Sequence, residues 1–176
     1  MSIPSKVTEA IAEYRLRLPA HHYLHPLPAT GQPGEIALAR GGDVSSLILI
    51  HGSDDHHGRR FVNFSVCDND IDMATDLDLI LPATNNRPYR LVVYAELYAQ
   101  IWVDQLVQHV DMITPAQHEG IRWSLGTDGE SLADLEHGLL PLAGPVDPRW
   151  QHRHRMLTDV LMPLRNDCLS VLWDEL

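Results

Sequence analysis

The chain has 176 residues, 44% of them hydrophobic, which is near the usual size of one domain and enough for an ordinary globular core. Thirteen Lys and Arg stand against 24 Asp and Glu, and the formal net charge of −11 repels phosphate backbones except where a local patch reverses the field. The two cysteines, Cys67 and Cys168, lie far apart and outside any CxxC pair, so they read as reduced, buried thiols of a cytoplasmic protein.

The first residues, MSIPSKVTEAIAEYRLRLP, contain no apolar core of signal-peptide length. No apolar run of the chain approaches the ~20 residues of a membrane span. Val7, Ile11, Tyr14 and Leu18 recur at helical spacing behind Ser5, a capping residue, and predict a short helix. The stretch LPAHHYLHPLPATGQPG then reads as a linker, because its prolines and glycines break any regular element.

From Glu35 to Val110 the period shortens. EIALAR, SSLILIHG, RRFVNFSVC, DLDLILP, YRLVVYAEL and QIWVDQLVQHV are short aliphatic or β-branched segments separated by Gly, Asp, Asn and Pro. In RRFVNFSVC the alternation puts Phe61, Asn63 and Ser65 on one face and Val62, Phe64 and Val66 on the other. Six such segments predict a small barrel or a strongly bent antiparallel sheet.

Helical signals return at TPAQHEGIRW, where Thr114 caps, Pro115 suits the first helical position and Gln117 completes a capping box. SLADLEHG predicts a second short helix, from Ser131 to a terminating Gly138. The last helix is capped by Asp147 and opened by Pro148, with Leu157, Val160, Leu161, Leu164, Cys168, Val171 and Leu172 as its apolar stripe. Pro163 is expected to kink or split it. The chain thus reads as one domain of helix and linker (1–32), β core (33–123) and helical extension (124–176).

HGSDDHHGRR, residues 51–60, holds three histidines and two aspartates between two strands. A metal site from His51, Asp54, His56 and His57 is weighed against an exposed hairpin loop over 52–58. The loop is preferred, because adjacent His56 and His57 point apart in extended chain and zinc ligands usually converge from more than one segment. DNDIDMATDLD fails as a calcium loop, having Met73 and Leu79 where Gly and Glu are needed. HEGIR lacks the second His of a zinc-protease helix. Trp150, His152, Arg153, His154 and Arg155 form a local basic cluster at the start of the last helix. No metal or cofactor is expected.

The succession PGEIALAR, SSLILIHG, RRFVNFSVC, ATDLDLILPATNNRPYRLVVYAEL and QIWVDQLVQHVDMITPAQHEGI resembles the MazF/PemK/Kid family of toxin–antitoxin toxins, from about Pro33 to Ile121. The most telling piece is Ile101-Trp102-Val103, then Val110-Asp111, then Thr114-Pro115. The resemblance implies an SH3-like β-barrel, a homodimer, metal-free cleavage of single-stranded RNA, and an acidic antitoxin peptide as partner. It also implies a catalytic Arg just before the second strand and a Thr or Ser after the third.

Ser45 stands in this chain where that Arg belongs, and Cys67 and Asp68 stand where the Thr would. Arg40 or Arg59 is therefore the candidate cationic stabiliser, with Ser65 or Ser45 as hydrogen-bonding helper. Arg60 is a further cation on the same hairpin. Two functions follow. One is a divergent endoribonuclease toxin whose activity is weak or lost. The other is a non-catalytic binding or regulatory module on the same fold, engaging a protein partner.

Overall fold

The computed structural model describes residues 27–56, 58–126, 136–138 and 140–165. The expected N-terminal helix lies outside these residues, as do Ser131–Leu135 and the last part of the C-terminal stripe with Cys168. Seven antiparallel strands form one sheet in the order β6-β1-β2-β3-β5-β4-β7. They are β1 (Glu35–Gly41), β2 (Val44–His56), β3 (Arg59–Asp68), β4 (Leu79–Leu81), β5 (Leu91–Trp102), β6 (Leu106–Met112) and β7 (Glu136–His137). The sheet is open: its edge strands β6 and β7 do not pair with each other among the described residues. A mainly β, antiparallel architecture is therefore what the alternating segments produce. Among the described residues no helix is long and apolar enough to cross a membrane.

Alternation divides the core in two. Val62, Phe64 and Val66 of β3 join Ile48, Ile50, Val92 and Ile101 in one apolar cluster. Cys67 faces the other way, into a second cluster with Ile36, Leu49, Leu79 and Val93. Helix α1 (Pro115–Gly126) covers this second cluster through Ile121. It opens with the expected capping box, in which Gln117 N donates to Thr114 Oγ1 at 3.2 Å and Thr114 N donates to Gln117 Oε1 at 3.0 Å.

Four expectations are corrected. Residues 52–56 are not loop: β2 runs through them to His56, pairing Gly52 with Asn63 and His56 with Arg59, so the connection shrinks to a tight turn at Gly58 (φ +79°). Leu91–Leu97 of YRLVVYAEL and Gln100–Trp102 belong to one long strand, β5, which stays continuous by bulging Tyr94–Leu97 against Val66. Strand 100–110 is instead split by a 3₁₀ turn at Val103–Gln105. Glu136 and His137 are not helical, because they pair with Ile80 and Leu79 as β7.

The last helix begins where its cap predicts. Asp147 Oδ1 accepts from Arg149 N at 2.9 Å, and α2 (Pro148–Arg155) follows. Pro163, expected to kink or split the helix, does not split it. The chain widens to a π-helix over Met156–Leu161, with Met162 N donating to Leu157 O, and helix continues to Arg165. The extra residue in that turn shifts the phase of the stripe. Leu161 and Leu164 are buried in the first cluster, whereas Leu157 is turned outward.

Arg153 pins this helix to the sheet. Its guanidinium donates to Asp78 through three bonds of 2.8–3.0 Å, and Thr75 donates to the same carboxylate from backbone and side chain. Asp78 is fully buried. Burial pushes its carboxyl above the usual range, against the Thr75 bonds and the Arg153 charge. Removing one partner of such a pair leaves an uncompensated charge, at about 3–5 kcal/mol. Arg153→Ala is accordingly expected to lower unfolding free energy by about that amount in urea titrations. A loss below about 1 kcal/mol would show that the pair does not hold the helix.

Candidate functional site

The candidate residues fall into three places. Arg40, at the end of β1, and Arg59, at the start of β3, line a groove of about 440 Å³ together with Gly42, Trp102, Asp104, Gln105 and Val107. They come together because Gln105 bridges two strands: its Oε1 accepts from Trp102 N at 3.0 Å, and its Nε2 donates to Arg40 O at 3.5 Å. The Arg59 guanidinium lies 4.3 Å from the Trp102 ring centroid and donates to Asp104 Oδ2 at 3.0 Å. Phe61 meets Trp102 edge to face, as their cross-strand pairing requires. Arg60 points elsewhere, to Gly31 O at 3.0 Å and Ser53 Oγ at 3.4 Å.

Ser45 lines a separate hollow of about 320 Å³ with Ser46, Cys67, Asp68, Tyr89 and Met156. The C-terminal helix walls it. His152 Nε2 lies 3.1 Å from Asp68 Oδ2 and 3.0 Å from the Tyr94 hydroxyl. Among the described residues no arginine lines this hollow. The Cys67 thiol is buried, and burial raises its pKa, so it is a protonated packing group and not a nucleophile.

Ser65 is in the third place. It has no solvent exposure, and its hydroxyl is 2.8 Å from His51 Nε2. His51 is the extra residue of a β-bulge, since Ile50 pairs with Phe64 and Gly52 with Asn63. The bulge aims the imidazole at Ser65 and stacks it on Tyr98, ring centroids 5.7 Å apart. His118 of α1 reaches the His51 carbonyl at 3.2 Å. His51 Nδ1 is buried without a partner. No three His, Cys, Asp or Glu among the described residues are placed to hold a metal ion.

A fourth polar cluster escaped the reading of the sequence. Arg87 is almost fully buried, donating to the carbonyls of Tyr89 and Pro82 and lying 3.5 Å from Asp111, which also accepts from Thr84 at 2.7 Å. Arg87 Nε is buried without a hydrogen-bond partner, with only the Asp111 carboxylate near it, while the rest of the guanidinium donates to backbone carbonyls, which fits a packing role. No family model matches the chain, and no curated protein matches it.

Chemically, the first groove offers two guanidiniums and an aromatic wall, and its one carboxylate among the described residues already pairs with Arg59. Among the described residues it contains no hydroxyl, thiol or imidazole. It can hold an anion but supplies no nucleophile or neutral base. The Ser65–His51 pair supplies a base without an adjacent arginine.

Burial, with nearby His118, pushes the His51 imidazole down to about 4. It stays neutral in the folded protein at pH 5–7, while in the unfolded chain it protonates near its ordinary value of 6.5. The unfolded state then binds the extra proton, so this residue costs stability progressively as pH falls from 6.5 to about 4. One imidazole resonance, absent in His51→Gln, is expected to titrate near pH 4. A midpoint at 6 or above would contradict the burial.

Proposed function

We propose that the chain is a divergent MazF/PemK-like protein on an SH3-like barrel, and that it acts as a binding or regulatory module in which endoribonuclease activity is weak or lost. The fold part is supported by strand order. β1, β2, β3 and β5 are successive neighbours, and after a 3₁₀ turn the chain lays β6 back against β1, which is the wrap a small barrel needs.

The functional part rests on one observation. Arg40 and Arg59 share a groove that contains neither Ser45 nor Ser65. A metal-free cleavage site needs a fixed cation where negative charge develops on the phosphate, beside a group that handles the proton of the attacking hydroxyl. Here the cations and the hydroxyls are apart. Losing one stabilising donor of this type costs about 10²–10³ in rate. In this reading the chain forms a homodimer and engages an antitoxin-like protein, with single-stranded RNA a weaker partner because of the acidic surface.

Purified protein is expected to leave a long single-stranded RNA uncut above background, alone and as Arg40→Ala. Robust cleavage that disappears in the variant would overturn the reading and make Arg40 the catalytic cation. Light scattering at micromolar concentration is expected to give twice the 19.8 kDa chain mass. A monomer mass would remove the dimer from the proposal.

A further inference from the structure

We propose that the free edge of β5 at Tyr98–Gln100 is a self-pairing surface, on which a second copy of this chain adds its own β5 antiparallel about a two-fold axis at Ala99. This gives the proposed homodimer its interface and rests on that part of the reading alone. β4 covers β5 only from Leu91 to Val93, and β5 runs on to Trp102. Among the described residues no other strand pairs with that far side.

Register shows which backbone groups are left. Gly34 N donates to Ile50 O at 2.7 Å, so Ile50 turns its backbone away from β3, and Phe64 opposite it turns toward β5. Phe64 then exchanges bonds with Ala99, whereas the neighbouring pairs Asn63–Gln100 and Ser65–Tyr98 do not. The N–H and C=O of Tyr98 and Gln100 therefore point off the sheet. Trp102, two residues on, points the same way, and there Gln105 Oε1 accepts from its N–H at 3.0 Å. The chain caps the end of this edge itself and leaves Tyr98 and Gln100 without backbone partners among the described residues.

The other edges are guarded. His109 N on β6 donates to Leu27 O at 2.8 Å, the open stretch of β2 carries exposed Asp54 and Asp55, and β7 is only two residues long. Leu97–Trp102 has no charge and no proline, and it includes Tyr, Ile and Trp, which favour strands. It is also held in shape before pairing. Tyr98 stacks on His51 with ring centroids 5.7 Å apart, and Gln100 Nε2 donates to Asn63 Oδ1 at 2.8 Å.

The occupant is a second copy because the edge complements itself. With the axis at Ala99, Tyr98 of each copy exchanges both backbone bonds with the partner's Gln100. The faces match, since Leu97, Ala99 and Ile101 lie on the core side and Tyr98 and Gln100 on the other. Glu96, the nearest charge on the strand, falls opposite the partner's Trp102 and lies 3.5 Å from Arg153 of its own chain. Two chains of formal charge −11 thus meet along a strand where no like charges are paired.

The test follows amide exchange of the full-length, ¹⁵N-labelled chain at micromolar concentration, with mass by light scattering on the same samples. Two variants are compared with it. Gln100→Glu sets carboxylates diagonally across the axis from each other and from Glu96. Gln100→Pro removes a pairing N–H where that group faces solvent, a place at which an edge strand tolerates proline. Gln100→Glu decides alone if the proline disturbs β3. The wild type is expected to weigh twice the 19.8 kDa chain, and both variants to weigh as monomers. The Tyr98 amide is expected to exchange about tenfold slower, or more, in the wild type than in the variants.

A monomeric wild type would overturn the surface and the homodimer together. A dimer whose Tyr98 amide exchanges freely, or one that persists in Gln100→Glu, would overturn the surface and leave the homodimer to another face. A Tyr98 amide equally slow in a monomeric variant would assign the edge to a segment of the same chain, and a mass above the dimer would replace the two-fold with open-ended pairing. Either result contradicts the proposal.

Discussion

The pairing of Arg153 with Asp78 decides where the C-terminal helix lies, and the disposition of the polar groups follows from it. A buried carboxylate is tolerable only with its charge met and its oxygens bonded. Arg153 and Thr75 do both. With that anchor set, Leu161 and Leu164 enter the first apolar cluster, and His152 and Met156 are carried to the hollow beside Ser45. The place where the family resemblance would put catalytic groups is walled by the chain's own helix. Asp68, on its wall, already faces His152 of that helix.

The sheet distributes the remaining chemistry by register. Ser65 and Cys67 share one face of β3, and that face is covered near Cys67 by α1. Further along, the bulge turns His51 over Ser65. Further still, the pairing of Phe61 with Trp102 brings Arg59 over the indole, and the 3₁₀ turn delivers Asp104 and Gln105 beside it. The arginine groove and the serine–histidine pair therefore belong to different stretches of the sheet. A backbone held by cross-strand hydrogen bonds cannot close that separation without losing them.

Much of the fold was legible because local chemistry and global structure agree. The alternation in β3, the Thr114–Gln117 box and the Asp147-Pro148 start all appear as written in the residues. The failures share a cause, which is that distant pairing outweighs local preference. Ser53, Asp54 and Asp55 are turn formers, yet β3 offers them partners and they extend. Glu136 and His137 extend because β4 has an open edge. Leu157 left its stripe because a π turn added one residue to the repeat.

The candidate site was half legible. Arg40 and Arg59 stood out as cations, but their meeting depends on a 3₁₀ turn and on a side-chain brace from Gln105 that no spacing in the sequence announces. Trp102 read as a strand residue. Its value as a groove wall needed the strand register. His51 read as the end of a strand and as a weighed metal ligand, and only the bulge made it a partner of Ser65.

The central claim is that Arg40 and Arg59 act in one groove and that Ser45 and Ser65 do not take part. A double-mutant cycle in the affinity for a peptide bearing one glutamate tests it most directly, because coupling energy reports shared partners. Arg40→Ala and Arg59→Ala are expected to couple by about 0.5 kcal/mol or more, while Arg59→Ala and Ser65→Ala add within about 0.3 kcal/mol. Independent arginines, or an Arg59 that couples to Ser65, would contradict the account.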